Sequence, residues 1–332
     1  MKVLLQIRPD YLKNPAGDTV QMISTGQGLK NLGLEISIST DPNQLLSSFD
    51  LVHIFNITRI KESYLFFLNA QKQQKKIIIS PVYWNPSKFL QRDKASPNLL
   101  AAWKIAQPMR ARLVRESQLL LPNGEREMDN LKQDFSKNAP YIVIPNGFPD
   151  SFPDIGPSLF RQRFPNLPEN FILSVARISP RKNQHWLARV CHASGLPLVL
   201  IGPVNDRKYF ELTLSFPNVT YLGTQQGELL SSAYAAAQVH ALPSWFETPG
   251  LSSLEAGACG TTVLSTNQGS TYEYFKDMAA YVQPLDDSSL RLGLERALDM
   301  QPLPLTEHIR EHYPWSKVAA MTLAAYQTIL DK

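Results

Sequence analysis

The 332-residue chain has only two cysteines, Cys191 and Cys259. That excludes a disulfide framework and points to a reducing compartment. No apolar run approaches the roughly 20 residues that cross a bilayer, and Met1–Pro9 has no apolar core of the kind found in leader peptides. The expected location is the cytoplasm, with peripheral contact at the inner face of a membrane left open. There is no Walker A sequence, no H-E-x-x-H, no D-x-D pair and no Cys/His cluster of zinc spacing. Neither a resident cofactor nor a bound metal is therefore expected. Gly26-Gln27-Gly28 resembles the start of a dinucleotide fingerprint, but Asn31 stands where the third glycine belongs. Those glycines also fall inside a helical segment instead of opening one after a strand.

What is present is an ordinary globular composition, 43% hydrophobic and 19% charged, in a chain long enough for two domains. In the first half, β-rich runs at Val3–Ile7, Glu35–Ser39, Leu51–Phe55, Lys76–Ser80, Gln118–Leu121 and Tyr141–Ile144 alternate with helix-like stretches such as Asp18–Leu32, Lys61–Gln74 and Pro97–Glu116. A Pro-rich passage, Ser151–Asn170, follows and reads as a linker between two domains. The alternation then restarts with Phe171–Ala176, Leu198–Ile201, Val219–Leu222, Val239–Leu242, Thr262–Leu264 and Ala280–Val282. Runs nearly continuous in Val, Ile and Leu suit parallel strands covered by helices on both faces. The expected fold class is α/β, two Rossmann-like doubly wound domains facing a cleft, with 1–150 and 151–314 as the two domains. Ligands of such sheets bind outside the carboxyl ends of the strands, so the residues after Ile7, Phe55, Ser80, Ala176, Ile201 and Leu242 are the ones to inspect.

Charge is unevenly distributed. Residues 1–150 hold 19 Lys/Arg against 13 Asp/Glu, and residues 151–332 hold 14 against 16. The excess concentrates in Lys88, Arg92, Lys94, Lys104, Arg110, Arg112 and Arg115. Two readings stand: a solvated helix face, or a surface for an anionic membrane or acceptor. Nucleic acid is not expected, because no recognition motif accompanies the charge.

The chemistry-bearing stretch is His240–Ser265. The strand Val239–Leu242 gives way to a loop with Glu247, and a helix is expected to begin near Pro249-Gly250, Pro being tolerated in a first turn. The N–H groups of Gly250, Leu251 and Ser252, with the positive end of the helix dipole, suit a phosphate or diphosphate. Glu247 and Glu255 flank that helix end. Carboxylates repel phosphate but accept hydrogen bonds from hydroxyls, so each is expected to face a hydroxyl-bearing part of a ligand. A second cluster, Arg177-Ile178-Ser179-Pro180-Arg181-Lys182-Asn183, places cations at another strand end. It reads either as a surface loop or as the positive charge that a leaving diphosphate requires.

These residues resemble a known family, the retaining glycosyltransferases of family 4 (group 1) with the GT-B fold. The resemblance rests on E-x7-E at Glu247 and Glu255, on A-R-x-x-x-x-K at Arg177 and Lys182, and on Ile144-Pro145-Asn146-Gly147. Leu254-Glu255-Ala256 with Gly260, and Gly269 before Glu273, add to it. It implies transfer of a sugar from a nucleotide-sugar to an acceptor with retention of configuration, without metal. By matching positions, Arg177 and Lys182 would neutralise the diphosphate, Glu255 would bind ribose hydroxyls and Glu247 would contact the donor sugar. Gly250, Leu251 and Ser252 would face phosphate, and Gly17 and Asp18, in Ala16-Gly17-Asp18, would border the donor sugar. Trp315–Leu330 resembles a closing helix that crosses back onto the first domain, which would assign 315–332 there.

Two departures stand out. Glu247-Thr248-Pro249-Gly250-Leu251-Ser252 replaces the common E-G-F-G-L-P. A family histidine after the fourth strand is missing from Ser80-Pro81-Val82-Tyr83-Trp84. Tyr83 or Trp84 would either stack on a sugar or pack in the core, and His53 would either face the cleft on the acceptor side or be a buried structural group. The competing functions are a nucleotide-sugar isomerase or epimerase on the same fold, and a non-catalytic nucleotide-sugar-binding homologue.

Overall fold

The computed structural model describes residues 1–92, 97–150 and 155–330. The chain divides into two compact units, Met1–Gly147 with the C-terminal segment from Trp315, and Phe148–Pro314. Phe148 marks the first boundary: it is buried, lies in the second unit's core and donates its N–H to Tyr313 O at 2.9 Å.

The first unit carries β1 (Lys2–Gln6), β2 (Glu35–Ser39), β3 (Leu51–Phe55), β4 (Lys76–Ser80) and β5 (Leu119–Leu120). They form a parallel sheet in the order β2-β1-β3-β4-β5. Its helices are α1 (Gly17–Asn31), α2 (Ile60–Lys72), α3 (Ser87–Arg92), α4 (Pro97–Ile105), α5 (Gln107–Glu116) and α6 (Glu125–Asp134). The second unit has β6 (Ile172–Val175), β7 (Leu198–Ile201), β8 (Val219–Tyr221), β9 (Val239–Leu242), β10 (Thr262–Thr266) and β11 (Ala280–Val282). These are also parallel, in the order β11-β10-β9-β6-β7-β8. Around them lie α7 (Ser158–Arg163), α8 (Gln184–Ala193), α9 (Arg207–Leu214), α10 (Gly227–Ala236), α11 (Leu251–Ala258), α12 (Thr271–Phe275), α13 (Asp287–Asp299) and α14 (Leu303–His312), and α15 (Trp315–Leu330) returns to the first unit.

Both units are therefore Rossmann-like. Strands β3, β7, β9 and β10 are buried along their whole length, as helices on both faces require, whereas the edge strand β2 is half exposed. The strand order reverses between β1 and β3 in one sheet and between β6 and β9 in the other. Those are the topological switch points where an open α/β sheet leaves room for a ligand.

Three sequence expectations need correction. Pro97–Glu116 is two helices, interrupted at Ala106, because Pro108 has no N–H to continue a helical ladder and instead sits in the first turn of α5. Tyr141–Ile144 is not a regular strand: it runs beside β5 with one bridge, Leu120↔Tyr141, and a further bond from the Ile144 N–H to Pro122 O, and prolines 140 and 145 flank it. The Pro-rich passage is not simply a linker, since it contains α7, whose Phe160 is fully buried in the second unit. Its residues 151–154 lie outside the described residues.

The glycines of the false fingerprint serve packing. A Cβ on Gly28 would lie 2.5 Å from the Ala319 Cβ and 3.4 Å from Trp315 O, so the missing side chain lets α15 lie directly on α1. Gly28→Val should lower the stability of the first unit by about 1–3 kcal/mol through overpacking. Chemical denaturation measures this, and an unchanged midpoint would show that α15 lifts away without cost.

Candidate functional site

The second unit's switch point is bordered by two loops, one after β6 and one after β9. The β6 loop runs through Arg177 into a single 3-10 turn, Pro180–Lys182, and Asn183 follows in the left-handed region at φ 59°. Asparagine tolerates that conformation better than most residues. Gln184 fastens the loop from below, donating to Arg177 O at 2.9 Å and accepting from the Ser179 N–H at 3.3 Å. Three bonds stitch the loop to its β9 neighbour. Asn183 Nδ2 donates to Pro243 O at 2.8 Å, the Trp245 N–H to Arg181 O at 3.0 Å, and the Arg181 guanidinium to Phe246 O at 3.0 Å. The two loops are thereby joined into one rim.

At its centre Lys182 Nζ donates to Glu247 Oε1. Both side chains are almost wholly buried, 13% and 7% exposed. Burial pulls the Lys182 ammonium down to about 8, despite the opposing pull of Glu247, with Arg181 and Arg177 adding repulsion. Burial alone would raise Glu247, but Lys182 and Arg181 outweigh it and hold the carboxyl below its ordinary value. Two glycines fix the Glu247 backbone. The Glu247 N–H donates to Gln268 O and Glu247 O accepts from the Ser270 N–H, each at 3.1 Å, with Gly269 at φ 99° between those partners. A Cβ on Gly269 would sit 2.1 Å from Glu247 O. On the other side a Cβ on Gly250 (φ 90°) would crowd Leu242 at 2.9 Å and the Glu247 carboxylate at 3.4 Å. Gly250 is therefore favoured by its positive φ and by its close approach to Leu242, a role that sequence reading did not assign.

Helix α11 begins at Leu251, with Gly250 as its N-cap and Pro249 outside the first turn, one residue later than the sequence suggested. Helical geometry leaves the N–H groups of Gly250, Leu251 and Ser252 without helical acceptors. One turn on, Glu255 accepts from the Tyr234 hydroxyl at 2.9 Å. Burial pushes the Glu255 carboxyl up to about 7, partly offset by that bond. Tyr234 is itself fully buried, edge-on to His240, with ring centroids 5.6 Å apart. His240, in β9, is completely buried and held neutral, its pKa lowered to about 3 by burial and by Lys182. Arg177, Lys182, Glu247, Gly250, Leu251, Ser252 and Glu255 thus all lie at the carboxyl edge of one sheet. The supporting Arg181, Asn183, Tyr234, His240 and Gln268 carry no motif of their own. Arg181 and Asn183 lay within the cationic cluster, and His240 within the chemistry-bearing stretch, but nothing in their spacing announced a role.

The first-unit candidates fare differently. Gly17 is exposed at the start of α1. Asp18 is 4% exposed and committed internally: its oxygens accept from Arg8 Nε at 2.9 Å, Arg8 Nη2 at 3.1 Å, Asn56 Nδ2 at 2.8 Å and its neighbour's N–H at 2.8 Å. Burial opposes the Asp18 charge, yet Arg8 and Asn56 hold the carboxyl below its ordinary value. The Arg8–Asp18–Asn56 cluster lies at the β1/β3 switch point, and Arg8 stands two residues past the end of β1. That was the available signal for it. His53 is interior, 1% exposed, with Nδ1 2.7 Å from the Tyr326 hydroxyl and Nε2 2.9 Å from Ser80 Oγ. Burial lowers its pKa to about 3, so it is a neutral structural group that ties α15 to the sheet. Tyr83 is fully buried against Trp103 and Phe135 and donates to Asp134 at 2.6 Å, so it has no face for a sugar. Trp84 is half-buried, its ring 6.1 Å from that of Phe89.

Comparison with known proteins adds the family context. Residues 157–312 match the family model described as Glycosyl transferases group 1. An uncharacterized glycosyltransferase of Methanocaldococcus jannaschii is 27% identical over 180 residues, 49% of this chain and 46% of that protein. A D-inositol 3-phosphate glycosyltransferase of Mycolicibacterium smegmatis is 30% identical over 181 residues, 49% of this chain and 41% of that protein. The matches thus span less than half the length of these curated relatives. Among solved structures, a sucrose-phosphate synthase from Thermosynechococcus elongatus superposes with a TM-score of 0.83 at 18% identity, covering 99% of both chains. Anabaena HepE in complex with UDP and glucose gives 0.74 at 16% identity, covering 98% of this chain and 99% of its own. The fold is that of the GT-B glycosyltransferases.

Proposed function

We propose that the chain is a glycosyltransferase of family 4 that moves a sugar from a nucleotide-sugar to an acceptor with retention of configuration. The observation that carries this reading is the buried Lys182–Glu247 pair, flanked by Arg177 and Arg181, beside the open N-terminus of α11 at a sheet switch point. The group 1 match over 157–312 supports it, as does the complex of HepE with UDP and glucose. In the proposed reaction the anomeric C–O bond to the diphosphate breaks and its electron pair stays on the phosphate oxygen. Arg177, Lys182 and the helix end stabilise that growing charge in a water-poor setting. The acceptor hydroxyl forms the new C–O bond on the same face and gives its proton to the departing phosphate, so no protein nucleophile is assigned. Glu247 takes the donor-sugar hydroxyls and Glu255 those of the ribose. With cations supplying the charge, turnover should be insensitive to EDTA.

A thermal-shift panel of UDP-, GDP- and ADP-sugars, followed by product detection with candidate acceptors, tests the reading, because a true donor stabilises the folded chain by mass action. Stabilisation by none of them, in a folded protein, would overturn it. A pH dependence accompanies the assignment. Glu255 accepts hydroxyls best when ionised, above about 7, and Lys182 holds its charge below about 8. Nucleotide affinity should therefore be greatest between those values and weaken on both sides. Calorimetry of Glu255→Gln should lose the acid limb, and Lys182→Arg should move the alkaline limb upward. An acid limb that persists in Glu255→Gln would remove Glu255 from the ribose site.

A further inference from the structure

The basic stretch singled out in the sequence is not one charged face. Arg110 is 2% exposed and lies 3.6 Å from the Trp103 ring, while Arg112 and Arg115 both pair with Glu116. Lys94 lies outside the described residues.

In the second unit, Glu255 stands one turn into α11 and is half-buried. Its Oε2 accepts from the Tyr234 hydroxyl at 2.9 Å, and among the described residues its other oxygen has no hydrogen-bond partner. Tyr234 comes from α10 and is fully buried, so its hydroxyl has given up water for this one bond. The ring does not need that bond to stay in place. The Thr261 hydroxyl donates to Tyr234 O at 2.6 Å, the Thr261 N–H donates to Ala256 O at 3.0 Å, and the Tyr234 ring lies edge-on to His240. Those contacts strap the end of α10 to α11 through the backbone and leave the hydroxyl to serve Glu255.

We propose that Tyr234 is a positioning residue for the nucleotide: its hydroxyl fastens one oxygen of Glu255 and so aims the other at a ribose hydroxyl. The inference rests on the reading of Glu255 as the ribose acceptor. A glutamate side chain is rich in rotamers, and fixing one of its oxygens beforehand removes an ordering cost that binding would otherwise carry. The same bond favours the ionised carboxylate, opposing the burial that raises Glu255 to about 7. The other groups around α11 do not take that part. Strand β10 has no titratable side chain, β9 offers His240, which is held neutral, and α14 directs Arg310 to Ala258 O at 2.9 Å. Lys182 and Glu247, in the loops ahead of α11, answer each other, and Cys259 stands at the far end of the helix.

The test is isothermal titration of the full chain with uridine, guanosine and adenosine 5′-diphosphates, each beside its 2′,3′-dideoxy counterpart. Tyr234→Phe keeps the ring and the backbone bonds, and circular dichroism confirms its fold. For the nucleotide that binds, this variant should weaken the ribonucleotide by about tenfold and the dideoxy form by less than about twofold, because only the former has hydroxyls for Glu255 to receive. The acid limb of ribonucleotide binding should also move to higher pH, since burial then acts on Glu255 unopposed. In a Glu255→Ala background, Tyr234→Phe should add nothing. Unchanged ribonucleotide affinity, an equal loss with both forms, or a full loss persisting in the Glu255→Ala background would overturn the proposal. Wild-type protein that binds a diphosphate but prefers neither form would overturn it together with the ribose role of Glu255. Wild-type protein that binds none of the three would overturn the pocket itself, and this role with it.

Discussion

Lys182→Ala is expected to lower kcat/KM for sugar transfer by about a thousandfold, the scale seen when a preorganised charge stabiliser is removed. The same substitution should also destabilise the second unit, for a separate reason. Glu247 would be left 7% exposed, its strongest attractive partner gone, and breaking a buried pair from one side costs about 3–5 kcal/mol even where the intact pair contributes little. The two effects separate in a double-mutant cycle. Lys182→Ala with Glu247→Gln should recover much of the stability and none of the activity. The sign of the pH dependence gives a further check. In the wild type the lowered Glu247 carboxyl contributes stability that is present above its ordinary unfolded value and lost as pH falls through the folded one. Without Lys182 only Arg181 and Ser244 oppose the burial penalty, and that carboxyl is expected to rise. Stability in the variant should then rise as pH falls, because protonation relieves the stranded charge. If the double variant regained activity, or the single variant melted like wild type, the ion pair would not be the centre of the site.

The second large effect is expected at a position that touches no ligand. Gly269→Ala would place a methyl group 2.1 Å from Glu247 O, at a backbone angle of φ 99° that L-residues rarely adopt. Neither atom set can yield cheaply, since both belong to the backbone that threads Glu247 between Gln268 and Ser270. The loop must move by an ångström or more, and a misplacement of that size costs about a hundredfold in rate. Stability should fall by about 2–4 kcal/mol from the combined clash and strain. Gly260→Ala is the matched control: its φ is 82°, but no atom lies within 4 Å of its added Cβ. It should cost about 1 kcal/mol from strain alone and leave nucleotide affinity unchanged. Calorimetry on both variants distinguishes displacement of Glu247 from backbone strain in general. Equal affinities in the two would show that the Gly269 contact does not position Glu247.

The α/β architecture was legible because buried parallel strands leave an unmistakable trace. Runs such as Leu51–Phe55 and Val239–Leu242 coincide with strands to the residue. Its failures came where proline changed the local rules, at the α4–α5 break and in the segment after Pro140. In the second unit the candidate site was legible wherever charge directly followed a strand. What stayed hidden was mutual commitment. Spacing alone could not reveal that Lys182 binds Glu247, that Gly250 yields its space to Leu242, or that Glu255 is held by Tyr234 from a different helix. Long-range pairing also sets the surroundings of the first-unit candidates. Arg8 and Asn56 occupy Asp18, Asp134 and Trp103 occupy Tyr83, and Tyr326, 273 residues away, occupies His53.

The bond between Lys182 and Glu247 also bears on discrimination against the commonest small anions of a cell. A free phosphate could satisfy the ammonium, but only by leaving the carboxylate behind in a dry setting. A molecule that brings negative charge and neighbouring hydroxyls together gives both halves of the broken bond a new companion. On that logic the Lys182–Glu247 pair would work as a two-key lock, indifferent to charge alone and to sugar alone.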